Sequence, residues 1–150
     1  MDFSKFEDVV KFAIEREEAA YEAYGEMAEM AETPGLKEML SELQSEEENH
    51  KKLLQDISQA KIEGVYVHDV IDLKISDFLS EEPPAPDMTF QDLLILAAKK
   101  EQEAVELYSG MKDVAGTDEL IKLFDFLIEQ EKSHKLKLEI EYEKYVLGEG

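Results

Sequence analysis

Residues 12–55 align on residues 96–139 without a gap, at an offset of 84, with 14 identities in 44 positions. Two unrelated amphipathic helices would share leucines and surface glutamates. Here the identities include Glu17/Glu101, Tyr24/Tyr108, Met27/Met111, Thr33/Thr117, Glu47/Glu131 and His50/His134. A segment present twice folds as two copies of one supersecondary unit, and the segment is long enough for a helical hairpin.

Each half carries two apolar rows at helical spacing, and each row is broken once by acid or by acid and base. Steps of three and four give Val10, Ala13, Glu17, Ala20, Tyr24, Met27, Ala31 and then Leu36, Leu40, Leu43, Glu47, His50, Leu54, Ile57. The second half repeats the pattern with Leu94, Ala97, Glu101, Ala104, Tyr108, Met111, Ala115 and Leu120, Phe124, Leu127, Glu131, His134, Leu138. Positions three apart share a helix face, so in Glu47-x-x-His50 and Glu131-x-x-His134 the carboxylate and imidazole point the same way. A charge on a buried row costs several kcal/mol unless it is neutralised, paired or bound to a metal.

Punctuation sets the expected boundaries. Ser4 with Glu7 forms a capping-box pattern that starts a first helix near residue 5. Thr33-Pro34-Gly35 ends it, and a second helix runs to about Ala60. Residues 61–88 fit no helix well: Val65-Tyr66-Val67 could lie extended, Glu81 to Asp87 is a proline-rich linker, and His68 reads as a solvated loop histidine. A connection this long suits a chain crossing from one end of a bundle to the other. Thr89 caps a third helix with Asp92 in its first turn, Gly116 stops it, and Thr117 starts a fourth that runs to about Val146. The expected fold is all-α, a four-helix bundle made of two duplicated hairpins, about 5–60 and 89–146, joined by the crossover 61–88. The whole of 1–150 is expected to form one domain.

Counting from the turns brings the row-breaking residues level. Glu17 lies 17 residues before Pro34, with Glu47 and His50 13 and 16 after it; Glu101 lies 16 before Thr117, with Glu131 and His134 14 and 17 after. At about 1.5 Å per residue each acid and its Glu-x-x-His partner stand roughly 20–25 Å from their own turn. No row supplies a Lys or Arg to balance them, and four carboxylates in a low-dielectric centre cannot all stay ionised unaided. Two divalent cations would cancel them, and one Glu from each of two helices with Glu-x-x-His from each of the others is the ligand set of di-iron and di-manganese carboxylate bundles. By symmetry Glu17 and His50 serve one ion, Glu101 and His134 the other, and Glu47 and Glu131 bridge. Oxygen donors with one imidazole per ion suit iron or manganese, and zinc could also occupy them. The competing reading is a metal-free Glu–His hydrogen-bond network with several carboxyls protonated. Tyr24 and Tyr108 follow their acids by seven residues, so each hydroxyl could hydrogen-bond a site carboxylate; the plain alternative is a core ring. Met27 and Met111 read as core packing.

Composition narrows the partners. Sixteen basic and 37 acidic side chains leave a formal charge of -21, which repels nucleic acid and anionic membranes and attracts cations. The chain has no cysteine, which excludes disulfides, thiolate metal sites and iron–sulfur centres within it. No apolar run reaches a membrane span and the first residues lack a signal pattern, so the expected location is the cytoplasm.

The paired Glu17/Tyr24 and Glu101/Tyr108 with the two Glu-x-x-His motifs make the chain resemble the rubrerythrin branch of the ferritin-like superfamily over about residues 5–146. The resemblance implies a di-iron centre, frequent dimerisation, and reaction with hydrogen peroxide or dioxygen. Rubrerythrins proper carry a rubredoxin module for electron delivery; this chain has no cysteine, so a separate electron-donor protein is implied. They also carry an additional ligand Glu one turn after the third-helix Glu, where this chain has Ala104. Cage-forming ferritins have a fifth helix, for which the residues after Val146 leave no room. The readings in competition are a di-iron oxidoreductase, an iron-handling or ferroxidase protein that takes up Fe(II), and a structural bundle with a vestigial or zinc-filled site.

Overall fold

The computed structural model describes residues 5–57 and 88–148. The expectations for 61–87, His68 among them, lie outside that range, as does Ser4. Four helices make up the described chain: α1 (Phe6–Met30), α2 (Pro34–Gln55), α3 (Phe90–Val114) and α4 (Asp118–Val146). The chain divides into two compact units, Met1–Tyr66 and Val67–Gly150, each holding one antiparallel pair, α1 with α2 and α3 with α4. No helix among the described residues is long and apolar enough to cross a membrane.

The duplication extends to backbone angles. Ala31 (φ -65°, ψ 132°) and Ala115 (φ -65°, ψ 128°) both leave their helix in an extended conformation. Two residues later Thr33 (φ -121°, ψ 147°) and Thr117 (φ -135°, ψ 151°) cap the next helix, each hydroxyl accepting a 3.2 Å hydrogen bond, from Leu36 N–H and Leu120 N–H respectively. Such a bond satisfies one of the four N–H groups a helix start leaves open. Thr33-Pro34-Gly35 therefore begins α2 rather than ending α1, with Pro34 in the first turn, where its missing N–H costs nothing. Gly116 is not what stops α3 either. Among the described residues only Gly148 has a positive φ, and the first half makes the same exit with Glu32 at the matching place.

The other starts and stops show where local patterns were read too literally. α3 opens with the expected pair: Thr89 Oγ1 accepts from Asp92 N–H at 3.1 Å and Asp92 Oδ2 accepts from Thr89 N–H at 3.2 Å. α1 begins at Phe6, close to the expected residue 5, with Lys5 at the cap position. α2 ends at Gln55 rather than Ala60; Asp56 is its cap (φ -81°, ψ -3°), and Asp56 and Ile57 are weaker helix formers than the Lys and Leu before them.

Within the first hairpin Phe6, Val9, Val10, Ala13, Tyr24 and Met27 of α1 and Leu36, Leu40, Leu43 and Leu54 of α2 are buried. In the second the buried set is Leu94, Val105, Leu107, Tyr108 and Met111 of α3 with Leu120, Phe124, Leu127, Ile128 and Leu138 of α4. The rings of Tyr108 and Phe124 stack at 6.1 Å, and those of Phe90 and Tyr145 meet at 5.8 Å at the open end of the pair. Polar contacts hold each pair from outside. Lys51 of α2 reaches Glu18 of α1 at 2.7 Å and Glu48 at 3.2 Å, and Lys112 of α3 reaches Asp125 of α4 at 2.6 Å.

Candidate metal centre

The residues that break the apolar rows are buried and gathered, hairpin by hairpin, into two triads. Glu17, Glu47 and His50 are at most 2% exposed, and Glu101, Glu131 and His134 at most 3%. Among the charged residues of the described chain, these are the ones that are fully buried. Helix periodicity does the positioning. Glu47 and His50 project from one face of α2 towards Glu17 on α1, and Glu131 and His134 from one face of α4 towards Glu101 on α3.

The triads have nearly the same dimensions. His50 Nδ1 stands 3.5 Å from Glu17 Oε2 and 3.4 Å from Glu47 Oε1. His134 Nδ1 stands 3.5 Å from Glu101 Oε2 and 3.8 Å from Glu131 Oε1. Each residue of a triad offers one ligand atom within 4.8 Å of the others. The facing atoms do not form hydrogen bonds at these separations, which exceed the roughly 2.7–3.2 Å of a good N–H···O contact. Two donors held by one ion at about 2.1 Å each, at octahedral to tetrahedral angles, lie roughly 3.0–3.5 Å apart. Three of the four distances fall within that range, the His134–Glu131 separation of 3.8 Å lying just beyond it, and two carboxylates with one imidazole are a donor set that binds iron, manganese or zinc. The residues fit the group.

All six sequence-predicted ligands fall into these triads. Tyr24 and Tyr108, seven residues beyond Glu17 and Glu101, are both buried, and Tyr108 packs its ring on Phe124. Ala104 sits one turn after Glu101, is itself buried, and supplies no further carboxylate. Sequence reading missed the Lys51 bridge to Glu18 and Glu48, each of which directly follows a triad residue. One signal was available for half of it: Glu48 lies three residues before Lys51 on the same helix. The hydrogen bond to Glu18, then that to Glu48, holds the Lys51 ammonium above its ordinary pKa.

Antiparallel helix pairs that present a buried Glu from one helix and Glu-x-x-His from the other define an all-α protein of the carboxylate–histidine metal class. The comparisons give that class a family. The rubrerythrin profile matches residues 8–142, and the chain belongs to the rubrerythrin family. Its fold class is accordingly the expected one, an all-α ferritin-like four-helix bundle. A solved structure of a hypothetical protein from Pyrococcus furiosus is similar over 97% of this chain and 93% of its own, at 27% identity and a TM-score of 0.78. No curated protein matches the chain.

Proposed function

We propose that the chain is a non-haem di-iron oxidoreductase that reduces hydrogen peroxide or dioxygen with electrons from a separate donor protein. The observation that carries this reading is the pair of matching buried triads, with three of their four ligand-to-ligand distances within 0.1 Å of each other. Glu17, Glu47 and His50 would hold iron in the first hairpin, and Glu101, Glu131 and His134 in the second. Two irons, when bound, supply the two electrons that peroxide reduction requires.

The chain's own residues do the rest. His50 and His134 hold fixed positions because each shares a helix face with a glutamate three residues earlier. Glu17 and Glu101 stand alone on their helices, so their carboxylates can turn as the charge in the site changes. The Tyr24 and Tyr108 hydroxyls are proposed to donate hydrogen bonds to the carboxylates and hold their orientation. The apolar rows above and below the triads exclude bulk water, which strengthens every charge interaction inside. The formal charge of -21 draws cations to the surface.

Metal content and turnover test the reading together. Anaerobic loading with Fe(II) should give two irons per chain by an element-specific method, and with a reductant present the loaded protein should consume many equivalents of peroxide. Consumption that stops after one oxidation, followed by iron release, would instead mark an iron-handling ferroxidase. Zinc retained in preference to iron, with no peroxide consumption, would mark a structural site.

A further inference from the structure

The repeat sets one and the same triad in two different electrostatic surroundings. In the first hairpin Glu18 and Glu48 each directly follow a triad carboxylate, and Lys51 directly follows His50. The Lys51 ammonium stands 2.7 Å from Glu18 and 3.2 Å from Glu48, so two acids against one lysine leave this collar with one negative charge. At the offset of 84 the same three places hold Gln102, Lys132 and Lys135, which leave two positive charges beside the second triad. Nearby exchanges lean the same way: Glu15 matches Lys99, and Glu46 matches Gln130. Ala19 against Glu103 and Lys52 against Leu136 run in the opposite direction, one charge unit each, and do not cancel the difference.

Nothing inside the triads tells the hairpins apart. The donors are the same two carboxylates and one imidazole, all buried, at nearly the same separations. The field around them is what changed, and its source is close. Successive residues on a helix point about 100° apart, which puts the charged ends of Glu18, Glu48 and Lys51 roughly 10 Å from the ligand atoms. Across about 10 Å of water at low salt, a unit charge alters the affinity for a divalent cation about 3-fold. The three units that separate the two collars therefore amount to about 10- to 30-fold. We propose that the two hairpins hold divalent cations unequally: the first retains its ion at least about tenfold more tightly, and Glu18 and Glu48, against Gln102 and Lys132, set the difference.

The inference rests on the reading of the triads as metal ligands and adds a division of labour to it. At cation concentrations between the two dissociation constants the chain carries one ion, in the first hairpin. The second hairpin fills and empties as the supply of the cation rises and falls, so it is the exchangeable half. Mutual repulsion of two bound ions would also make the second ion weaker, but that repulsion does not depend on Glu18, Glu48, Gln102 or Lys132. Exchanging those four side chains between the halves therefore separates the two causes.

Titration of the full chain with Mn(II) in about 10 mM salt, with the free ion read by electron paramagnetic resonance, tests this without turnover. The wild type should bind two ions in steps whose Kd values differ at least about tenfold. E18Q/E48K, which gives the first hairpin the second's residues, should weaken the tighter step until the two steps merge. Q102E/K132E, the reverse exchange, should tighten the weaker step and merge them from the other side. At about 1 M salt, where the Debye length falls to about 3 Å, the wild-type steps should draw together without any substitution. Two equal steps in the wild type at low salt would overturn the inference, as would unequal steps that neither variant moves; either result leaves the metal centre standing. A wild type that binds no Mn(II) would overturn the metal reading along with this one.

Discussion

Replacing Glu47 by Gln should move stability in opposite directions in the metal-free and metal-loaded protein. The amide keeps the shape of the side chain and removes one charge from a buried triad. The ligand oxygens of Glu17 and Glu47 lie within 4.8 Å of each other, and two carboxylate charges at that separation repel by about 3 kcal/mol at an effective dielectric constant near 20. Any positive charge on His50, within 3.5 Å of both, offsets part of that repulsion. The metal-free variant should therefore gain about 1–3 kcal/mol, within the range seen when buried charges give way to neutral groups. At about 2–4 °C per kcal/mol for a chain of this size, its Tm should rise by about 2–12 °C. With Mn(II) present, a redox-silent probe, the order should reverse. A wild type holding metal at 100 times its Kd gains about 2.7 kcal/mol, and a variant that lacks one of the proposed ligands should lose most of that gain. Melts followed by circular dichroism, with chelator and then with excess Mn(II), measure both arms. A less stable metal-free variant with an undiminished metal shift would show that Glu47 is a structural partner of His50 and not a ligand, and would remove the ground for the di-metal reading.

Three further outcomes follow from the helix ends and the polar contacts. Thr117→Ala removes the hydroxyl that accepts from Leu120 N–H and should cost about 1 kcal/mol, or roughly 2–4 °C of Tm; Thr33→Ala, in the equivalent cap, should cost the same within error. The Lys112 pKa is raised above 10.5, first by its hydrogen bond to Asp125 and then by that carboxylate's charge. A raised lysine stabilises the fold fully below its unfolded pKa and loses that contribution as pH climbs through the folded value. Melts above about pH 10.5 should thus show a loss that Lys112→Met does not share. Gly25→Ala gains up to about 1 kcal/mol of helix propensity but displaces the flexible end of Gln44, whose Nε2 donates to the Tyr21 carbonyl. A hydrogen bond of that kind is worth about 0.5–1.5 kcal/mol, so chemical denaturation should find the two proteins within about 0.5 kcal/mol.

How much of this was legible depended on whether a residue's environment is set along its own helix or across to another. The triad members were legible because burial and azimuth follow from periodicity alone: Glu47 and His50 sit on the row of Leu40, Leu43 and Leu54, and all five are buried. Thr89 and Thr117 were legible as caps because a cap is a contact over three residues. The start of α1 near residue 5 was legible too, because the first turn settles where Phe6 finds its packing. The glycines, by contrast, misled. Gly35 and Gly116 look like the devices that turn the chain, yet neither has a positive φ, and Ala31, Thr33, Ala115 and Thr117 around the reversals are in extended conformations open to any residue.

Contacts between helices were beyond periodicity altogether. Lys51 meets Glu18 across 33 residues of sequence, and nothing along α2 marks that lysine off from Lys52 beside it. The repeat could have supplied the missing comparison, because descent from one segment lets each half report which features the other was free to change. Inside the hairpins the Glu, Tyr and His positions are unchanged, whereas Glu18 became Gln102 and Glu48 became Lys132. That substitution removes both acids that Lys51 uses in the first hairpin, so Lys135 lacks the equivalent strap. Yet the His134 triad has nearly the dimensions of the His50 triad. The outer bridge is therefore not what sets the triad. Packing of the apolar rows on either side is enough, which is why a chain can hold its buried chemistry fixed while its outer faces diverge.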